Sequence, residues 1–300
     1  MNLPNLNTKL SQWLLLIFVS FIWGTSFILM KRSLESFTEI QVGSFRILFA
    51  SVFMLPVLLK RYKKFKKKHI KPLLTVSFIG NFFPAILFAK AQTGISSSLA
   101  AMLNTLFPIT AVITGTLFYG LKFKKNKIAG TIVGLIGALG LASGNGTDFS
   151  DNNNMYALYV IVAVIFYAVS LNEIKSKLKD TDGITITAFA FAITGPFAGI
   201  TLMFTDLQTS FAKPEALKDL MYIALLAFGS SAVAVSLFYL LLDYVDIVFA
   251  SLTTYIIPIF AIFWGIFDGE KISFMQIFYM LIIFAGVYLV NKNKPEQKKT

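Results

Sequence analysis

The sequence predicts an all-α membrane protein whose ten transmembrane helices form two inverted five-helix repeats. Three observations carry this prediction: an apolar composition, long uncharged runs between short charged segments, and one segment that occurs twice. Hydrophobic residues make up 56% of the 300 residues and charged residues only 14%. Soluble domains are nearer about 45–50% apolar, even with glycine counted. The composition therefore indicates a polytopic helical membrane protein.

The duplicated segment covers residues 100–120 and recurs at residues 250–269. Each copy is an uncharged, helix-length run with a proline near its middle, Pro108 in the first and Pro258 in the second. An internal proline counts against a helix in water, but in a membrane neighbouring helices or water satisfy the freed carbonyl. The repetition indicates two related halves. We expect both helices to bend or break near their prolines and to face each other across a polar cavity.

Ten apolar runs each come close to the ~20 residues that cross a hydrocarbon core. They lie at residues 11–30, 40–59, 72–90, 96–119, 127–145, 154–173, 184–205, 219–242, 247–267 and 273–291. Because each half holds five spans, an odd number, the second half enters the membrane from the opposite side, as in secondary transporters. The domains are a first repeat at 1–147, an exterior linker at 148–154, a second repeat at 155–292 and a cytoplasmic tail at 293–300.

Orientation follows from the basic residues in the connections. With the N-terminus inside, 20 of the 27 Lys and Arg residues fall in inner segments, six fall in outer segments, and Arg46 lies within a span. Both termini and the basic run at 60–71 are therefore expected in the cytoplasm, and the acidic connection at 144–154 outside. No small-residue cleavage site follows the first apolar run, so we expect a retained span.

Residue counts exclude several kinds of site. The chain has no cysteine and one histidine, His69, within a lysine run, so we predict no disulfide, no metal site and no cofactor. The net charge of +12 does not indicate nucleic acid, because the basic residues alternate with spans rather than forming one face. The expected partners are a lipid bilayer and a small-molecule solute, and the oligomeric state stays open.

Glycines lie at helical spacing in span 5 and at matching positions of the two repeats. Gly130 and Gly134 are four residues apart, and Gly137 matches Gly286 in span 10. Small residues at this spacing let helix backbones approach closely. We therefore interpret these glycines as packing positions. Gly80 in span 3 likewise matches Gly229 in span 8.

Several short motifs occur in a specific order along the chain. They are Trp23-Gly24-Thr25-Ser26-Phe27 with Lys31 in span 1, Arg46 in span 2, the proline-centred spans 4 and 9, the glycine-rich span 5, and Phe267-Asp268-Gly269-Glu270 before span 10. In this order the sequence resembles EamA-type members of the drug/metabolite transporter superfamily over nearly the whole chain. The resemblance implies ten helices in two five-helix EamA-like repeats, with spans 5 and 10 away from the solute cavity. The chain departs from the family's Gly-Glu after span 4, since Leu121 follows Gly120.

Two basic residues lie within spans, where ionisable groups are functional candidates. Arg46 either snorkels to the surface, reaches Glu39 or contacts a solute; Lys90 either anchors span 3 at the interface or faces a cavity. We expect no acidic residue at equal depth, so both cations need water, carbonyls or an anionic group. If they face the cavity, the solute carries a negative group. No Asp or Glu falls at mid-depth, so nothing demonstrates proton coupling, and a facilitator or an exchanger fits equally.

Uncharged polar and aromatic side chains near the span centres complete the candidate site. Any one of them can instead hydrogen-bond a neighbouring helix, because polar side chains join helices in membranes. The groups one turn before the two prolines are favoured, since a freed carbonyl there also offers a contact. The candidate binding residues are Trp23, Thr25, Arg46, Asn81, Lys90, Asn104, Thr105, Tyr239, Thr253, Thr254 and Tyr255.

These features predict a secondary transporter that moves a small organic metabolite by alternating access, with an amino acid or related carboxylate-bearing solute favoured. We expect a multipass protein of a cell membrane, in particular a bacterial inner membrane. The alternatives are a membrane-embedded enzyme and a non-transporting scaffold. The sequence holds no nucleophile-elbow, zinc or P-loop pattern and no catalytic constellation at mid-depth, and its longest loops reach only about a dozen residues. We therefore predict no catalytic residues.

Overall fold

The computed structural model describes residues 8–64, 66–120, 125–142, 153–242, 244–245 and 252–291. Every regular element among these residues is a helix, and none of these residues lies in a strand. The α-helices are α1 (Lys9–Ser33), α2 (Glu39–Arg61), α3 (Ile70–Ser77), α4 (Phe83–Gln92), α5 (Ser97–Asn104), α6 (Phe107–Tyr119), α7 (Lys125–Ala142), α8 (Asn153–Lys177), α9 (Gly183–Met203), α10 (Leu207–Phe211), α11 (Ala216–Leu226), α12 (Val235–Leu242), α13 (Thr253–Phe267) and α14 (Phe274–Asn291).

Six helical stretches in the described part are long and apolar enough to cross a membrane. They are Lys9–Ser33, Glu39–Lys64, Lys67–Gln92, Met155–Lys177, Gly183–Met203 and Ala216–Phe238. The bent pair α5 and α6 makes a seventh if counted as one span. Three shorter apolar helices, Ala129–Gly140, Thr253–Phe267 and Phe274–Leu289, lie at the positions of predicted spans 5, 9 and 10. The chain is therefore a membrane protein with several spans, and the regular structure of its described part is entirely helical.

Two of the long stretches are interrupted by π-helical turns at corresponding places. Phe78–Phe82 separates α3 from α4, and Ala227–Ala234 separates α11 from α12. The first segment contains Gly80 and the second Gly229, the glycines that the sequence comparison of the halves pairs. Since π-turns inside helices occur frequently at functional sites, these two segments are places to look for a binding site.

Glycines also end two corresponding helices. Gly120 follows α6 with φ 64°, and Gly269 follows α13 with φ 81°. A residue without a Cβ adopts this left-handed conformation without steric cost and so terminates a helix. The chain therefore turns in the same way after each copy of the duplicated segment.

The tightest helix contact joins the two halves through the predicted glycines. Helix α7 packs along α14, and a Cβ on Gly286 would lie 2.4 Å from the Gly134 nitrogen and 2.7 Å from the Gly130 carbonyl oxygen. Carbon contacts are normally about 3.5–4.0 Å, so this pairing requires glycine. The glycine spacing in span 5 is thus packing, as expected. Other extensive pairings, α2 with α9 and α1 with α13, also join the halves.

The two prolines behave differently. Helix α5 ends at Asn104 and α6 begins at Phe107, with a bend of 43°. Pro108 has no N–H to bond the Asn104 carbonyl four residues earlier, which explains the break there. A break at Pro258 is not found, because α13 runs without interruption from Thr253 to Phe267, and a bend there stays a prediction. Pro258 is the sixth residue of that helix, so it removes one first-turn bond and leaves the later turns intact.

Candidate functional site

Arg46 is the basic residue that the helices hold furthest from their ends. Its side chain extends from α2 to the second π segment, where Nε lies 3.5 Å from the Ser231 hydroxyl and Nη2 lies 3.4 Å from the Ser230 hydroxyl. Both distances are long for hydrogen bonds. No carboxylate among the described residues pairs with Arg46, since Glu39 binds Lys90 instead. The guanidinium therefore lies inside the bundle with weak partners.

Two aromatic residues, Trp23 and Tyr167, are linked to this part of the bundle. The Trp23 indole N–H donates to the Ser230 carbonyl oxygen at 3.2 Å, so α1 and α2 meet the second π segment at the same residue. The Tyr167 hydroxyl is near enough to Arg46 to interact with it electrostatically, and its ring stacks on Phe88 with centroids 5.8 Å apart. Arg46 and Tyr167 both keep part of their surface accessible. The structure thus brings two predicted residues, Trp23 and Arg46, to one polar and aromatic site.

The prediction that Lys90 lacks an acidic partner is wrong. Its ammonium group lies 2.8 Å from Glu39 Oε1. Glu39 is the first residue of α2 and Lys90 belongs to the last turn of α4, so the connections bring both charges to one end of the bundle. Because Glu39 pairs with Lys90, the predicted contact of Arg46 with Glu39 is not found. A carboxylate therefore neutralises the charge of Lys90, whereas no described carboxylate neutralises that of Arg46.

The other predicted polar residues mostly join helices or bind their own backbone. The Thr25 hydroxyl accepts from the Trp264 indole at 2.9 Å. The Asn81 amide in the first π segment donates to the Val76 carbonyl of α3 at 2.8 Å. The buried Thr105 hydroxyl donates to the Met102 carbonyl at 2.6 Å. These contacts give the three residues a structural role.

The remaining candidates lie around the proline helices. Asn104 is half-buried at the end of α5, and its amide forms no hydrogen bond within the part of the chain that the structure describes. Thr253 is buried, Thr254 and Tyr255 are half-buried, and the Tyr255 ring packs on Phe284 at 5.0 Å. The side chain of Tyr239 lies outside the described residues.

Helices α5 and α13 are in direct contact at the first turn of α5, and a polar cavity between the proline helices stays a prediction. The Ser98 hydroxyl of α5 lies 3.4 Å from the Ala261 carbonyl oxygen of α13. A cavity of about 340 Å³ lies between the α1–α2 connection, the start of α2 and α10, beside Glu39, Asp206 and Lys213. A second of about 240 Å³ is an apolar groove beside Phe53 and Phe228. Among the described residues, the first turn of α5 therefore lies directly against α13.

A buried carboxylate that the sequence did not single out as a binding group holds this contact. Glu270 follows α13, and its carboxylate accepts from the Lys31 ammonium at 2.9 Å and from both Ser97 and Ser98. Asp268 pairs with Lys31 at 2.6 Å and also with Arg32. Burial favours the neutral carboxyl, but the hydrogen bonds from Ser98, Lys31 and Ser97 outweigh it and lower the Glu270 pKa. The available signal was the serine run at the start of span 4, a helix N-cap pattern.

A second charge cluster joins the basic residues at and after the end of α2 to the connection between α8 and α9. Lys66 and Lys68 bind Asp180 at 3.0 and 2.8 Å, and Lys64 and Arg61 bind Asp182. Hydrogen bonds from Lys68 and Lys66 lower the pKa of Asp180. Burial would raise the pKa of Asp182, but hydrogen bonds, first from Lys64, bring it to about 2. The basic run at 60–71 is thus partly neutralised by the connection between α8 and α9.

Known proteins that match this chain include transporters. A sequence model of the EamA-like transporter family matches residues 10–143 and 154–292. A Chlamydia muridarum protein named S-adenosylmethionine/S-adenosylhomocysteine transporter is 25% identical over 260 residues, 83% of this chain and 82% of its own length. The uncharacterized inner membrane transporter YedA of Escherichia coli is 25% identical over 281 residues, 91% of this chain and 88% of its own. A solved crystal structure shares the fold with TM-score 0.61 at 14% identity, covering 94% of this chain and 96% of that one.

The apolar helices and their interior polar groups define a helical membrane protein with several spans. The chain belongs to the EamA-like transporter family, since the family model matches most of it in two segments. It is therefore a membrane transporter and not an enzyme, as the sequence predicted.

Proposed function

We propose that this protein carries a small organic solute with at least one carboxylate across a bacterial inner membrane by alternating access. In this proposal the solute binds between two inverted five-helix repeats, with its carboxylate on Arg46 and its apolar part against Trp23, Phe88 and Tyr167. Asn104 and Thr254 beside the proline helices are candidates for further polar contacts, as is Tyr239.

The position of Arg46 is the observation that carries the proposal. A cation removed from water needs a partner, and the described partners of Arg46 are two serine hydroxyls at 3.4 and 3.5 Å. A carboxylate suits a guanidinium because two parallel N–H···O bonds can form at once. The aromatic rings beside it suit the organic part of a metabolite, since binding sites combine apolar walls with few polar groups. Lys90 is a weaker candidate, because Glu39 already neutralises it.

Correspondence between the halves supports the inverted repeat. The family model matches two consecutive segments, 10–143 and 154–292. A π segment interrupts the third predicted span of each half, and a left-handed glycine ends the fourth, at Gly120 and Gly269. Ten spans result if the bent pair α5–α6 and the three shorter apolar helices each cross the bilayer. Inverted repeats bind solute near the midplane and expose it alternately to each side.

Charge distribution and one relative support the proposed location. We place both termini and the 60–71 run in the cytoplasm, because 20 of 27 Lys and Arg residues fall on that side. The relative YedA is named as an inner membrane transporter. In this orientation the contact of α5 with α13 at Glu270 lies at the outer face, and the Asp180–Asp182 cluster lies at the inner face.

The solute class agrees with another relative's name. The Chlamydia muridarum protein is named for S-adenosylmethionine and S-adenosylhomocysteine. Both compounds are amino acid derivatives that carry a carboxylate and an aromatic base. We propose a solute of this general chemistry, an amino acid or amino acid derivative, and leave the particular compound to experiment.

A ligand screen followed by uptake tests the proposal. The purified protein is heated with amino acids, organic acids and their neutral amides, because a ligand of the folded state raises the apparent melting temperature. Each stabilising compound is then supplied, radiolabelled, to proteoliposomes. We expect carboxylate compounds to stabilise and to accumulate, and their amides to do neither. Preference for a lipophilic cation would contradict the solute class, and binding without uptake would favour the non-transporting scaffold.

A further inference from the structure

The Glu270 carboxylate occupies a site with five hydrogen-bond donors. It accepts from the Ser97 and Ser98 backbone N–H groups at 2.8 and 3.1 Å and from their hydroxyls at 2.8 and 2.6 Å. The fifth donor is Lys31, at 2.9 Å. Only 5% of the Glu270 side chain remains exposed. Such charge-assisted bonds are roughly twice as strong as neutral ones.

These donors belong to helices of the other half. Ser97 and Ser98 form the first turn of α5, where unpaired N–H groups and the helix dipole favour an anion. Lys31 lies in the last turn of α1. Glu270 follows α13, so one carboxylate joins the end of the duplicated segment in the second half to the start of its copy in the first.

The absence of a side chain at Gly265 lets α5 approach α13 closely at this junction. A Cβ on Gly265 of α13 would lie 2.1 Å from the Ser98 hydroxyl and 2.5 Å from Glu270 Oε2. Without that Cβ, the first turn of α5 rests directly on α13. Asn104 lies six residues beyond Ser98, or about 9 Å along a helix. A solute that enters between these helices has to separate them before it reaches that level.

Helix α5 has the features of a short mobile helix with a hinge at its end. It is eight residues long and ends at the 43° bend. At the bend, the Thr105 and Leu106 N–H groups donate to carbonyls only three residues earlier, at 3.1 Å each, and Pro108 offers no N–H to the Asn104 carbonyl. A hinge of a few residues at the end of an element suffices for a gating motion.

We propose that Glu270 is the latch of a gate: its carboxylate holds α5 against α13 and closes the solute path at this face, and opening requires the carboxylate to leave the five donors. The inference rests on the proposed transport function, but the latch can be tested without transport. Glu270 acts here as a positioning residue, through α5, and has no contact with solute.

Cysteine accessibility reports the gate directly, because the native chain has no cysteine. Ala101 is fully buried one turn after Ser97 on α5, so Ala101→Cys provides a reporter that a maleimide reaches when α5 moves. In purified protein, Glu270→Gln removes the charge and keeps the size. We expect it to raise the labelling rate about tenfold or more, the factor associated with charged hydrogen bonds. Labelling in detergent makes the result independent of membrane orientation.

Matched variants complete the test. Glu215→Gln removes a carboxylate whose ion pair with Lys218 lies within one exposed helix end, and we expect unchanged labelling. Ser98→Ala and Lys31→Gln each remove one donor, and we expect smaller increases; they replace Glu270→Gln if that variant does not fold. Unchanged labelling in folded Glu270→Gln, or in both donor variants, overturns the latch. Wild-type uptake in proteoliposomes tests transport separately, so increased labelling without uptake would keep the latch and reject the proposed function.

Discussion

Replacing Arg46 by glutamine should stabilise the ligand-free protein while removing its ability to bind solute. Transfer of an ion from water into a protein interior costs several kcal/mol, and loss of an unsatisfied buried charge recovers part of that. The two bonds that Arg46 donates to Ser230 and Ser231, at 3.4 and 3.5 Å, offset little, since even a good bond contributes about 1 kcal/mol. Because Arg46 is only half-buried, we expect a net gain of about 1–2 kcal/mol.

The assay is thermal unfolding of the purified variants with and without a carboxylate solute. Arg46→Gln should melt above wild type alone and should lose the shift that the solute gives to wild type. Lys90→Gln is the control, because it breaks the Glu39 pair at one end of the bundle. It should change stability by less than about 1 kcal/mol, in the unfavourable direction, and keep the shift. If Arg46→Gln melts well below wild type, Arg46 is a structural residue and the argument for a carboxylate partner fails.

Three other predictions concern packing, orientation and charge. Gly286→Ala should destabilise the protein by about 1–3 kcal/mol through overpacking, since its Cβ would meet the α7 backbone at 2.4 Å. The control is Gly199→Ala, whose Cβ would have its nearest neighbour 3.9 Å away and which should be neutral or stabilising in the same thermal unfolding experiments. Equal melting temperatures of the two variants would refute the α7–α14 contact. A single cysteine at Thr209 should react with an impermeant maleimide from outside the cell and one at Lys67 only after lysis; the reverse pattern would overturn the orientation. Because the pKa of Asp182 is lowered from 3.8 to about 2, its contribution to stability is present above about pH 4 and lost as pH falls towards 2; Asp182→Asn should flatten the pH dependence of melting over that range, and an unchanged profile would show that the ion pairs with Arg61 and Lys64 contribute nothing.

Local patterns were enough to locate the helices and two of their special features. Apolar runs marked the six long helical stretches that can cross a membrane, because burial in lipid selects uncharged stretches of helix length. The break before Pro108 follows from one missing N–H, and the close packing of α7 follows from its glycine spacing, although the spacing did not identify α14 as the partner. Pro258 shows the limit of such reasoning, since whether a proline breaks a helix depends on where the helix begins, and α13 begins five residues before it.

Partners that are distant in sequence were harder to predict. Glu39 and Lys90 are 51 positions apart, and only the folded connections put them at the same depth. Glu270 is 173 positions from Ser97, so the serine run at the start of α5 indicated a helix start but not the carboxylate that binds there. For Arg46, the sequence left three possible partners: a solute, the membrane surface and Glu39. The structure excludes Glu39, because the Arg46 side chain lies beside Ser230 and Ser231 of the π segment.

Uptake of a matched pair of solutes shows whether Arg46 binds the carboxylate of the solute. Proteoliposomes with wild-type protein or Arg46→Gln receive a stabilising carboxylate compound and, separately, its neutral amide. The account predicts that wild type prefers the carboxylate by about tenfold or more, the size expected for a charged hydrogen-bonded pair, and that Arg46→Gln loses this preference. An unchanged preference in Arg46→Gln would contradict the assignment of the carboxylate to Arg46.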